Sequence, residues 1–204
     1  LDWLREEIWP FSLQMEEEDF YLAALIGCIE NLKSGATSVV DQHYIHTTKN
    51  TSDNVFKAMQ KSGIRGNLCR CFADLDYHPD LKEKSSVVME ELNRLYHEWH
   101  GLEDKRLTLS VGPLNPWGCT PELFKESAAF AKEHGLKFQV HTAETQAVVE
   151  RTVAKYGKRN VEFFADLGIL DENIQLVHSV WLDDQEIELV KEAGAMVVHC
   201  PVAN

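Results

Sequence analysis

The sequence is short of positive charge. Twenty lysines and arginines stand against 33 aspartates and glutamates, a formal charge of −13. A surface that acidic repels phosphate backbones and anionic lipid, which argues against nucleic acid or a membrane as partner. No apolar run approaches the roughly 18 residues that a membrane-spanning helix needs, and no secretory leader is visible. Glycine-rich phosphate and dinucleotide fingerprints are also missing, which weakens a nucleotide-binding open sheet. The five cysteines (Cys28, Cys69, Cys71, Cys119, Cys200) form neither a CxxC pair nor a disulfide ladder. An odd number of thiols in a chain this large points to reduced cysteine and a cytoplasmic location. Low-complexity linkers are absent as well, so no domain break is evident.

What is present is enough apolar sequence, 44%, to bury a core in one large domain or part of one. The chain opens on Leu1 and stops at Asn204 just past a strand-like run, so both ends read as cut rather than finished. Between them one alternation repeats. A helix over Glu17 to Ser34 carries Phe20, Ala24, Leu25, Cys28, Ile29 and Leu32 at helical spacing and stops at Gly35. The acid cluster from Glu16 to Asp19 suits its first turn. The strand "ATSVVDQH" follows. Further helices are predicted from Ser52 to Gly63, about Ser86 to His100, after Thr120-Pro121, from Thr145 to Tyr156, from Val161 to Leu167, and from Asp183-Asp184 to Gly194. Between them run "RGNLCRC", "RLTLSVG", "KFQVHT", "IQLVHS" and "AMVVHC". Six strands joined by helices indicate a parallel α/β sheet, either open and doubly wound or closed as a barrel.

The strands end on Asp41-Gln42-His43, Arg70, Gly112-Pro113, His141, His178 and His199. Five of the six ends carry an ionisable group, and in a closed barrel such ends share one mouth, where barrel active sites sit. Each histidine alone reads more simply as a core or rim residue; together they read as a site. Neutral imidazole is a common metal ligand, and a metal lowers the pKa of bound water to about 7. A carboxylate beside the metal can then move protons. In "KFQVHTAET", His141 ends the strand and Glu144 follows three residues later.

The segments "VHTAET", "VHSVWLDDQEI", "VVHCPVAN", "KSGATSVVDQHY" and "VGPLNPWGCTPE" resemble the amidohydrolase superfamily, in the branch of purine, pyrimidine and triazine deaminases and chlorohydrolases. The resemblance covers nearly the whole chain. It implies a partial (β/α)8 TIM barrel, strands two to seven, parallel, with helices outside, forming a single catalytic-barrel fragment over residues 1–204. It implies one divalent metal, zinc first and iron as the alternative, with His141 as a ligand. Glu144 matches the proton shuttle, and His178 the histidine that contacts the attacking water or the substrate. Arg70 matches an arginine near substrate in some members, while His199 and Asn204 belong to a signature that shapes the site. The family's first-strand H-x-H pair and eighth-strand aspartate find no counterpart in the chain. Three of four expected ligands are therefore absent, and the chain by itself is expected to be inactive. Adenosine-type deaminases carry a histidine where Leu114 stands and a glutamate where Ser12 stands, which weighs against an adenosyl substrate.

Several residues have plainer readings. Trp117 and Trp181, just past strand ends, are candidates to stack on a planar ring. His43 could line the mouth. The pair His97 and His100 reads as a solvated helix face, and Cys69 and Cys71 as packing. Trp3, Trp9 and Trp99 read as ordinary helix packing. The expected function is deamination of a small heterocyclic substrate. Triazine dechlorination and a non-catalytic ligand-binding fragment are the alternatives, and a homo-oligomer is left open.

Overall fold

The computed structural model describes residues 3–203. Its six strands are β1 (Ser38–His43), β2 (Arg65–Phe72), β3 (Leu107–Pro113), β4 (Phe138–Thr142), β5 (Ile174–His178) and β6 (Met196–Val198). They form one sheet in the order β1-β2-β3-β4-β5-β6, with helices between successive strands. The pairings whose register is resolved are parallel: β1 with β2, β3 with β4, β4 with β5, and β5 with β6. Sequential parallel order with intervening helices is the winding of a (β/α) barrel, so the fold is a partial α/β barrel of six strands. Among the described residues no helix is long and apolar enough to cross a membrane.

By contacts the chain divides into two compact units, with boundaries inside β2 and β3 rather than at a linker. The first contains the chain up to Arg70, His78–Lys82 and Ser86–Leu109; the second contains Cys71–Tyr77, Glu83–Ser85 and the chain from Ser110. In the first unit Phe56, Met59, Ile64, Leu68, Leu92, Leu95 and Leu107 are fully buried. A Cβ on Gly66 would lie 2.3 Å from the Met59 sulfur, so only glycine lets β2 approach the Thr51–Ser62 helix this closely. Asp53 accepts two hydrogen bonds from the Arg94 guanidinium, at 3.0 and 2.6 Å, and one from Trp99 Nε1 at 2.8 Å. Trp99 also stacks on Phe56 at 5.1 Å. In the second unit Phe124 packs against Phe138, Phe163 and Phe164.

Helix starts follow the capping signals. Thr120, Thr145 and Asp183 each accept a backbone N–H from the first turn. Glu16 caps the Glu17–Ser34 helix, with Asp19 reciprocating. Five expectations shift. The Thr51–Ser62 and Ser85–Trp99 helices each start one residue earlier than predicted. The Asn160–Asp166 helix also begins one residue early, because Glu162 takes the backbone N–H of Arg159 at 2.8 Å. The apolar stripe of the Glu17–Ser34 helix is buried only at Phe20 and Cys28, while Ile29 and Leu32 are exposed. His97 is solvated as expected. His100 is not: it stacks on Tyr96 at 5.1 Å, and its Nδ1 accepts the Leu109 N–H at 3.1 Å.

Candidate functional site

In the second unit, parallel pairing sets Thr142 opposite His178 and His141 opposite Val177 at the C-terminal ends of β4 and β5. The two imidazoles stand 5.5 Å apart between ring centroids. His141 is oriented by one atom, the carbonyl oxygen of Leu114. That oxygen accepts the His141 backbone N–H at 3.3 Å and lies 3.1 Å from ring Nδ1. With Nδ1 donating its proton there, Nε2 keeps a free lone pair, as a metal ligand requires. Burial pushes the imidazole down to about 4, with the neighbouring His178 adding to the shift and the Leu114 carbonyl opposing it. The ring is therefore neutral at physiological pH.

Glu144 leaves β4 and turns back, so that its Oε1 lies 3.7 Å from His178 Nε2. Its side chain is 40% exposed and that of His178 10%. The separation is longer than a hydrogen bond. The backbone here is strained. Ala143 (φ 44), His178 (φ 72) and Ser179 (φ 56) are left-handed without being glycine, and the other such residues form one turn at 103–105. Each costs about 1–2 kcal/mol, and such strain gathers at functional sites.

The remaining candidates are placed as follows. Trp181 donates its backbone N–H to the Ala143 carbonyl at 2.9 Å, and its side chain is half exposed beside the loop that carries Glu144. Trp117 is buried, and the Arg151 guanidinium lies 4.1 Å over its ring. That ring face already has a partner. Arg70 is buried in the first unit at the end of β2, in register with His43. Burial holds His43 below the usual imidazole value, with Asp41 opposing and Arg70 adding to the shift. His199 is exposed one residue beyond β6, and Asn204 lies outside the described residues. Cys69 and Cys71 are buried, as expected of packing residues. Cys119 offers no thiolate nucleophile, because burial pushes it up to about 12.

The role of the Leu114 carbonyl had no signal in the sequence, since a backbone atom carries it. Among the described residues no group of three or more His, Cys, Asp or Glu could hold a metal. The Leu114 carbonyl engages Nδ1 of His141 and not Nε2, and one imidazole nitrogen is a single ligand of the several a metal takes.

The family model for the amidohydrolase family matches residues 1–204. The 5'-deoxyadenosine deaminase of Methanopyrus kandleri is 35% identical over 204 residues, all of this chain and 45% of its own length. Two solved structures share the fold. Guanine deaminase from C. acetobutylicum with bound guanine has a TM-score of 0.89 at 18% identity, over 98% of this chain and 48% of its own. A variant of the atrazine chlorohydrolase from Arthrobacter aurescens TC1, complexed with zinc and atraton, has a TM-score of 0.87 at 23% identity, over 96% of this chain and 45% of its own. The chain thus spans about half the length of the proteins it matches. A family model that covers every residue, and a relative 35% identical along the whole of it, place this chain in the amidohydrolase family.

Proposed function

We propose that the chain carries part of the active site of a divalent-metal-dependent deaminase acting on an adenine-type ring. The observation that carries this reading is the meeting of His141, His178 and Glu144 at two neighbouring strand ends, with the Leu114 carbonyl on Nδ1 of His141 leaving Nε2 as the ligand atom. When bound, the metal, zinc first and iron second, supplies Lewis acidity and an activated water at neutral pH. His141 Nε2 is the atom that would hold it. Glu144 takes a proton from the attacking water and passes it to a ring nitrogen, then carries the remaining hydroxyl proton of the added oxygen to the departing amine, which leaves as ammonia. His178 hydrogen-bonds the oxygen that adds to the ring carbon or a polar ring substituent. Trp181 offers its half-exposed face to the planar ring. Amide-like nitrogen leaves poorly unless protonated, whereas chloride leaves without a proton, so a poised carboxylate favours deamination over dechlorination.

The adenine-type ring is preferred because the Methanopyrus kandleri relative is named for an adenosyl substrate. Leu114 and Ser12 weighed against such a substrate. Ser12, however, is buried, and the Leu114 carbonyl is engaged with His141. A panel assay on the full-length protein tests the reading. Ammonia release from 5'-deoxyadenosine, lost on chelation, is expected to exceed release from guanine and chloride release from atrazine. Chloride release alone would make it a chlorohydrolase, and no release from any of the three would refute it.

A further inference from the structure

The loop that carries His178 begins with two consecutive left-handed non-glycine residues, His178 and Ser179. An unsupported turn of this kind would relax, since each such residue costs about 1–2 kcal/mol. Three ties hold it. The Ser179 N–H donates to the Thr142 carbonyl at 2.9 Å, and the Trp181 N–H donates to the Ala143 carbonyl at 2.9 Å. The third comes from a side chain: Arg159 Nη2 donates to the Trp181 carbonyl.

Arg159 is itself held in place. Its Nε donates to Glu186 Oε2 at 2.8 Å and lies 2.8 Å from Asp183 Oδ2. Glu186 is fully buried, and its Oε1 accepts the Val161 N–H at 2.9 Å. A buried carboxylate costs several kcal/mol unless it is paired and hydrogen-bonded. Here its pairing fixes a guanidinium whose far nitrogen reaches a carbonyl three residues from His178. The planar fork lets one group bind Glu186 and Trp181 together, which a lysine ammonium does not match.

We propose that Arg159 and Glu186 are positioning residues that set where His178 and Trp181 stand, by fixing the Trp181 carbonyl. The proposal rests on the site reading above. Neither residue touches substrate; both act through the loop. Misplacing a substrate-contacting group by about 1 Å can cost up to a hundredfold in rate.

The test is Arg159→Lys and Arg159→Ala in the full-length protein, assayed with 5'-deoxyadenosine and compared with Glu144→Gln. For Arg159→Lys the expected result is a kcat lowered about tenfold to a hundredfold, because His178 has moved, and a raised KM, because Trp181 has moved, with an unchanged circular dichroism spectrum and melting temperature. Activity of Arg159→Ala should recover saturably with millimolar ethylguanidinium and not with sodium chloride. A lower melting temperature, with KM and the kcat of the folded fraction both unchanged, is what a mere structural brace produces and would overturn the proposal. So would wild-type KM and kcat in Arg159→Lys, which decides the matter even if Arg159→Ala does not fold. In either case an inactive Glu144→Gln leaves the site reading standing, whereas a fully active Glu144→Gln removes that reading and this inference with it.

Discussion

Two histidine pairs stand at strand ends in this chain, and they differ in kind. In the first unit His43 and His46 lie 5.0 Å apart, close to the 5.5 Å between His141 and His178 in the second. Burial lowers the pKa of both His43 and His141. Proximity and desolvation therefore do not separate a site from a packed pair. Orientation does. His43 meets the edge of Phe20 at 5.8 Å, and its Nε2 is enclosed without a hydrogen-bond partner among the described residues. His141 has its ring turned by a backbone carbonyl, a carboxylate opposite its neighbour, and left-handed residues in both adjoining loops. An enclosed Nε2 without a hydrogen-bond partner among the described residues marks the first pair; left-handed backbone marks the second.

The largest effect expected from this contrast is at Glu144. Glu144→Gln in the full-length protein keeps the shape and removes the proton carrier, so turnover should fall by about a hundredfold to ten-thousandfold while metal content stays normal. Ammonia release together with elemental analysis measures both, and near-normal turnover would reduce Glu144 to a rim acid. Metal loss belongs to His141 instead. His141→Ala should lower bound zinc in the full-length protein, by about ten- to a hundredfold in affinity if only its orienting contact mattered and by more if the ligand itself is lost. Unchanged metal content would break the distinction between the two pairs.

Much of this was legible in the sequence. Periodicity and caps gave the winding, because parallel strands must be continuous apolar runs and helices must stop at residues such as Gly35 and Gly63. His141, Glu144 and His178 stood out because polar residues at the ends of buried strands are unusual. Trp117 illustrates what was not legible. Its position past a strand end was correct, yet Arg151, 34 residues further on, covers its ring. His100 is similar, since its partner is a backbone N–H across a turn. Contacts made through the backbone or between distant segments leave no periodic trace, and the Leu114 carbonyl and the Arg159–Glu186 clamp are both of that kind.

The ion cluster of the first unit gives a smaller effect, on stability alone. Burial pushes the Asp53 carboxyl up, but the hydrogen bonds from Arg94 and Trp99 and the Arg94 charge outweigh it, so the group titrates below its ordinary value. A depressed folded pKa means that the pair's stabilisation is fully present above the unfolded value of about 3.9 and is lost as pH falls through the lower folded value. Asp53→Ala should cost about 3 kcal/mol, since Arg94 and Trp99 lose a half-buried partner while Glu91 and Glu98 remain. Urea denaturation of the 204-residue chain measures it, and Asp53→Asn should flatten the acid limb of the stability–pH curve. An unchanged acid limb would mean that the cluster is no more than a surface pair.

The smallest effect is expected at His43, and it tests the comparison most directly. His43→Leu replaces an enclosed imidazole, whose Nε2 has no hydrogen-bond partner among the described residues, with an apolar side chain of similar bulk. Replacing a buried unsatisfied polar group by an apolar one is near neutral or stabilising, within about 1 kcal/mol. The edge contact with Phe20 is lost, at a cost of the same order. The hydrogen bond to the Ile45 backbone is lost as well, so the melting temperature should fall slightly. Metal content should not change, and the kcat for ammonia release should stay within a few-fold. Loss of zinc in His43→Leu with His141→Ala still loaded would reverse the assignment and make the first unit's histidines the ligands. If both variants lost zinc, both pairs would serve the metal, and the carboxylate and left-handed residues beside His141 and His178 would no longer separate them.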